Sequence, residues 1–176
     1  IKSNVMENSY VNNVEIKKCL PNKIKLIIEE RQADYAIQYA SSYLYIDSQG
    51  YILEISNNEE NLPIIEGFST DLSNIKENDK LENSDFKKLD MVKKIMFTAK
   101  INEMANLITK IDVSNEENYV IYLATEGKIA YLGNGTELNT RFLYVKAILR
   151  EQQGKSGEIF ADVDLNSEYV YFRENI

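Results

Sequence analysis

Asp162 and Asp164 are the side chains whose spacing best suits them to chemistry. They stand two apart in Phe160-Ala161-Asp162-Val163-Asp164-Leu165. On a strand, residues two apart share a face, so both carboxylates would point the same way and could hold a cation or act as acid and base. The same alternation is the ordinary pattern of a solvated strand face over a buried one, with Val163 and Leu165 inward. That reading is preferred, because a glycan hydrolase built here would have both acids on one short strand with no second acidic cluster nearby.

The remaining catalytic options are few. The chain contains no histidine, so no Ser-His-Asp or Cys-His arrangement can be assembled, and a zinc site would lack its usual nitrogen ligands. Cys19 is the only cysteine, so no intrachain disulfide can form, and it is expected to pack as a small apolar side chain in a strand. Gly133-Asn134-Gly135 lacks the third glycine and the β-α-β context of a dinucleotide fingerprint. No catalytic, cofactor-binding or metal-binding residue is assigned, and no metal or cofactor is expected.

Composition narrows the class further. The 176 residues are 44% apolar and 27% charged, enough for a folded core and too ordinary for disorder throughout. A net charge of −8 argues against nucleic acid or an anionic membrane as the main target, since both require a concentrated Lys/Arg face. No run of about 18 apolar residues occurs, so no membrane span is expected within these residues. The chain opens at Ile1 with no initiating Met or signal pattern, and is expected to be a fragment of a longer protein.

Hydrophobic periodicity predicts the elements. Residues 1–9 read as a short helix. Val14 and Ile16, then Ile24, Leu26 and Ile28, alternate with Glu15, Lys17, Lys23 and Lys25 around Leu20-Pro21-Asn22, which predicts a β-hairpin ending at Glu29-Glu30-Arg31. Strands follow at 35–40, 44–46 and 51–55, the last two joined by the turn Asp47-Ser48-Gln49-Gly50. A solvated loop is predicted over 70–84. Ser84 or Asp85 then caps a helix of five to six turns carrying Leu89, Val92, Ile95, Met96, Ala99, Met104, Leu107 and Ile108. Strands at 111–113, 119–124 and 128–132 precede a second helix at 137–151, with Phe142, Val145, Ile148 and Leu149 inward. Two closing strands are read at 158–164 and 169–172. The short turns at 47–50 and 126–127 allow only antiparallel neighbours. The fold class is therefore α+β, with a mostly antiparallel sheet from Tyr35 onward and two helices on one face.

This order of motifs resembles the FtsQ/DivIB family. Lys17-Lys18-Cys19-Leu20-Pro21-Asn22 and the strand ending Glu29-Glu30-Arg31 resemble the end of that family's POTRA module. Tyr45-Ile46-Asp47 with Gly50 is similar to its Ile-Asp-x-x-Gly hairpin, and Leu62-Pro63-Ile64-Ile65-Glu66-Gly67 to its Leu-Pro-x-Ile-x-Gly segment. Residues 127–133, followed by Arg141-Phe142 and Ile148-Leu149, resemble its strand–Leu-Gly–helix unit. Gly157 with Phe160-Ala161-Asp162-Val163 resembles its Gly-x-Ile-Asp-Leu-Arg strand, with Asp164 in place of the usual Arg. The resemblance divides the chain into a partial POTRA module, 1–34, reduced to its second helix and hairpin, and a β domain, 35–176.

The resemblance implies a non-enzymatic scaffold of the divisome on the extracytoplasmic face of the bacterial membrane, at the septum, behind one N-terminal span upstream. Its implied partners are the membrane-anchored FtsB/DivIC-like and FtsL-like division proteins. Strand addition at a sheet edge would serve such binding. The candidate is Tyr169-Val170-Tyr171-Phe172-Arg173, which carries neither the Pro nor the Lys that usually blunts an edge. Tyr169, Tyr171 and Arg173 share a face, and Tyr and Arg are frequent anchors; the competing reading packs both faces of this strand. An envelope assembly or secretion docking factor carrying POTRA modules is the alternative function. With its first module incomplete, the hairpin face of Val14, Ile16, Leu26 and Ile28 is expected to need cover from a second copy or from residues beyond this chain.

Overall fold

The computed structural model describes residues 1–164 and 170–175. A short helix, α1 (Lys2–Met6), precedes an antiparallel hairpin of β1 (Val11–Cys19) and β2 (Lys23–Glu30). The register sets Val14 opposite Ile28, Ile16 opposite Leu26 and Lys18 opposite Ile24, so the period-two apolar residues share one face. Only Val14 is buried there; Ile16, Leu26 and Ile28 are 37%, 40% and 45% exposed. Cys19 ends β1 and is exposed, not packed as the sequence pattern suggested. Its strand outruns the part of the hairpin that anything else covers.

The hairpin joins the larger sheet through an ion pair. Arg31 Nη1 lies 2.8 Å from Asp47 Oδ2, both side chains almost wholly buried, and the guanidinium sits 3.7 Å over the Tyr51 ring. Asp47 also accepts from the backbone amides of Gln49 and Tyr51, which closes the predicted turn, with Gly50 at φ +82°.

The larger sheet has nine strands. In chain order they are β3 (Tyr35–Tyr39), β4 (Ser42–Ile46), β5 (Ile52–Ser56), β6 (Ile64–Glu66), β7 (Lys110–Asp112), β8 (Val120–Leu123), β9 (Lys128–Tyr131), β10 (Gly157–Phe160) and β11 (Tyr171–Glu174). Their spatial order is β11-β10-β9-β8-β7-β6-β3-β4-β5. Five of the eight pairings are antiparallel, as the short turns require. The parallel pairs are β3/β6, β6/β7 and β9/β10. Two of these are joined through the long helices α2 (Phe86–Ile101) and α3 (Leu138–Glu151), which are the crossover connections a parallel pair demands.

Both helices bury their apolar stripes in one cluster. Leu89, Val92, Ile95 and Ala99 of α2 meet Phe142, Val145, Ile148 and Leu149 of α3 over the sheet. Beneath them the register lines up one row across six strands, Ile65–Ile111–Ile121–Ala130–Ile159–Phe172. The α+β class with two helices on one face therefore stands.

The structure corrects several boundaries. α2 stops at Ile101 because Glu103 turns left-handed at φ +61° and Asn102 Nδ2 bonds back to the Thr98 carbonyl. Met104, Leu107 and Ile108 continue the apolar spacing, but in a turn leading to β7. β10 ends at Phe160, so Asp162 and Asp164 lie on a loop and not on the strand their alternation suggested. The closing strand runs over Tyr171–Glu174, two residues later than predicted; Val170 precedes it, and Tyr169 lies outside the described residues. Aromatic residues on both faces of this segment leave its register open in sequence, and Phe172 opposite Ile159 decides it.

Phe142 is fully buried at the centre of the cluster. Phe142→Ala is expected to lower unfolding free energy by about 3–5 kcal/mol, read from denaturant midpoints at unchanged slope.

Candidate partner-binding edge

The two edges of the nine-stranded sheet are finished differently. At β5 the backbone is occupied at the strand's start: Ile52 donates to the Asp79 carbonyl and accepts from the Asn78 amide, each at 2.8 Å, and Ser9 Oγ donates to the Leu53 carbonyl. At the opposite edge, among the described residues, no strand pairs with the outer side of β11. The Asn175 amide donates to the Ser156 carbonyl at 3.0 Å, and antiparallel ladders alternate bonded and non-bonded pairs. Glu158–Arg173 and Phe160–Tyr171 are therefore bonded pairs, while the N–H and C=O groups of Phe172 and Glu174 face away from β10.

Side chains fix β11 in this position. Phe172 turns inward against the core cluster, and Tyr171 and Arg173 turn to the helix-free face, Tyr171 60% exposed. Arg173 Nε donates to Glu158 Oε2 at 2.6 Å, and Tyr131 Oη donates to Glu158 Oε1 at 2.8 Å. The Tyr131 hydrogen bond first, and Arg173 second, hold the Glu158 carboxyl below its ordinary value of 4.5. The Tyr131 and Phe160 rings stack with centroids 5.1 Å apart, and the Arg173 guanidinium lies 5.3 Å from the Phe160 ring. Lys155 pairs with Glu174 at 2.9 Å on the rim.

Two residues with no obvious chemical role bring the strands this close. A Cβ at Gly157 would stand 2.2 Å from the Arg173 carbonyl oxygen and 2.8 Å from the Phe172 ring, so only glycine admits β11 here. Arg141 is buried and spends its guanidinium on backbone: Nε donates to the Thr136 carbonyl at 2.8 Å and Nη1 to the Ala161 carbonyl at 2.5 Å. It thereby holds the chain leaving β10. The motif reading singled out both residues without their roles, because each acts on a strand distant in sequence.

The helix-free face beside this edge carries a second aligned row, Ile64–Lys110–Tyr122–Ile129–Glu158–Arg173. Its middle forms a groove of about 610 Å³ with Gln38, Ile64, Lys110, Tyr122 and Ile129 among its walls. Lys110 Nζ lies 3.9 Å over the Tyr122 ring and pairs with Glu66 at 3.2 Å.

The suspected acidic pair is not assembled in this way. Asp162 is exposed and accepts from Asn118 Nδ2 at 3.1 Å, and Asp164 is exposed on the same loop. Among the described residues, no group of three or more Asp, Glu or Cys side chains is gathered as a metal site would need. No helix among them is long and apolar enough to cross a membrane.

No family model matches the chain. It is similar to the cell division protein DivIB of Clostridium acetobutylicum, 26% identical over 170 residues, which covers 97% of this chain and 67% of that protein. It is 40% identical to DivIB of Clostridium tetani over 65 residues, 37% of this chain and 24% of that protein. With DivIB of Staphylococcus aureus it shares 22% identity over 177 residues, 96% of this chain and 37% of that protein. The chain thus spans about two thirds of the Clostridium acetobutylicum relative and little more than a third of the staphylococcal one. The element order, the placement of the family's motifs and these matches along almost the whole chain together support a protein of the FtsQ/DivIB family of cell-division proteins.

Proposed function

We propose that this chain is a non-enzymatic scaffold of the divisome, acting on the extracytoplasmic side of the membrane at the septum. It binds a membrane-anchored division protein by accepting a strand along β11. The observation that carries this reading is the contrast between edges: the start of β5 is bonded by its own chain at Ile52 and Leu53, and β11 offers the backbone groups of Phe172 and Glu174 outward. The partner of best fit is the FtsB/DivIC-like coiled-coil protein with its FtsL-like companion. Backbone pairing supplies the affinity, and Tyr171 and Arg173 supply anchors on the helix-free face. Val170 stands at the entry to this edge; Tyr169 completes the segment proposed from sequence.

The alternation along β11 picks the decisive substitution. Glu174→Pro deletes an outward N–H while leaving the bonds to β10 in place, so it is expected to weaken partner binding at least tenfold, whereas Glu174→Ala changes it little. Tyr171→Ala is expected to cost about 1–2 kcal/mol as an anchor. Both are read by calorimetry with the partner's extracytoplasmic segment, circular dichroism confirming the fold. A Pro variant that binds as tightly as the parent removes β11 from consideration.

Gly157→Ala acts from the other side of the strand. It is expected to displace β11, shown by faster amide exchange at residues 171–174 with little change in the α2–α3 core, and to weaken binding in parallel.

Acid should loosen the same contact. A carboxyl whose folded value is depressed contributes stability above its ordinary value that is lost as pH falls through the depressed one. Amide protection of β11 should therefore hold above about pH 4.5 and decline below it, and Glu158→Gln should remove that pH dependence.

A further inference from the structure

The helices and the rest of the chain carry opposite charge. α2 and α3 together hold eight basic residues against two acidic ones, a net +6, in a chain whose net charge is −8, so the remainder carries −14. Some of these cations are committed inward or sideways. Arg141 holds the Ala161 carbonyl, Lys88 bonds the Gly67 carbonyl beside Asp85, and Lys87 pairs with Glu116. The others point away from the sheet.

Their arrangement is regular. Lys94, Phe97, Lys100 and Ile101 lie on the outer stripe of α2, and Leu143, Lys146 and Arg150 on that of α3, at three- and four-residue spacing. The stripes meet where Lys146 Nζ donates to the Asn102 carbonyl at 2.9 Å and Asn102 Nδ2 donates to Asn139 Oδ1 at 3.0 Å. Phe97, Ile101 and Leu143 are 67%, 62% and 50% exposed, three large apolar side chains on the outer side of a two-helix layer. The acids near them are partly neutralised, Asp90 by Lys93 at 2.6 Å and Glu103 by Lys146 at 3.4 Å, with Glu151 at the far end of α3.

We propose that this helix face rests on an anionic lipid bilayer. Phe97, Ile101 and Leu143 enter the headgroup region, and Lys94, Lys100 and Arg150 meet lipid phosphates. Exposed apolar side chains rimmed by cations are what an interfacial helix presents to such a surface. The depression beside Phe97 is walled by that ring and by Asp90, Lys93 and Lys94, so the apolar surface on offer is shallow and rimmed by charge, as a headgroup layer requires. The acidic bulk of the chain does not cancel the attraction, because charges beyond about 8 Å are screened at physiological ionic strength. This face is opposite the one to which Tyr171 and Arg173 turn, and the inference stands independently of the role proposed for β11.

The chain contains no tryptophan, so Phe97→Trp places a single reporter in the contact. Its emission should shift to the blue with vesicles of phosphatidylglycerol and phosphatidylcholine, not with phosphatidylcholine alone, and should revert near 0.5 M salt, where screening is about 4–5 Å. In flotation assays of the otherwise unaltered chain, Lys94→Gln, Lys100→Gln and Arg150→Gln together should lower partitioning about a hundredfold, at roughly a factor of five per cation. Phe97→Ser with Ile101→Ser and Leu143→Ser should abolish it, all six positions being exposed and remote from the core. No blue shift, an equal shift on neutral vesicles, or partitioning unchanged by the triple Gln variant overturns the proposal. So does a shift produced only by a protein partner's ectodomain.

Discussion

The chain steps across its sheet twice through a helix, from β6 over α2 to β7 and from β9 over α3 to β10. The strands on either side of each step run the same way, and both steps move toward the β11 edge. Crossovers of this kind share one hand, because a twisted strand feeding a right-handed helix packs back onto the sheet in only one sense. Two steps of equal hand and direction must place both helices on one face. That constraint gathers Val92, Ile95, Phe142 and Val145 into a single cluster over the row from Ile65 to Phe172. Each such residue contributes about 1.5–3 kcal/mol when fully buried.

One-sided burial leaves the opposite face free for aromatic and charged side chains. There Tyr131, Phe160, Glu158 and Arg173 interlock by stacking and hydrogen bonding, with no helix of the described residues above them. The same topology delivers β11 as the last strand added, with nothing in the described chain beyond it. Its attachment relies on a glycine that admits its backbone and on an arginine that spends its donors on carbonyl oxygens of the preceding loop. An edge so placed is held firmly on one side and unsatisfied on the other.

The layers also separate charge. Stems of Lys and Arg suit an outer helix surface, where they cover apolar area while their heads stay in water. The sheet margins and loops take most of the acids. A molecule that is acidic in total therefore presents one basic, partly apolar side.

Much was legible from local pattern. Period-two alternation around Leu20-Pro21-Asn22 determined the hairpin, the turn chemistry of Asp47 and Gly50 determined β4 and β5, and spacing in α3 determined its buried side, since each signal depends on neighbours in sequence. The ordered motifs of the hairpin, the Leu62–Gly67 segment and the Arg141-Phe142 helix carried the family as well. Local pattern misled where a distant residue arbitrates. The spacing through Ile108 extended α2 past the left-handed Glu103, and the alternation at Asp162 extended β10 past its partner strands. The parallel pairings, the phase of β11, the room at Gly157, the inward turn of Arg141 and the gathering of cations on one face were decided by tertiary structure alone. Each depends on which segments far apart in the chain become neighbours, and a sequence read along its length carries no term for that distance.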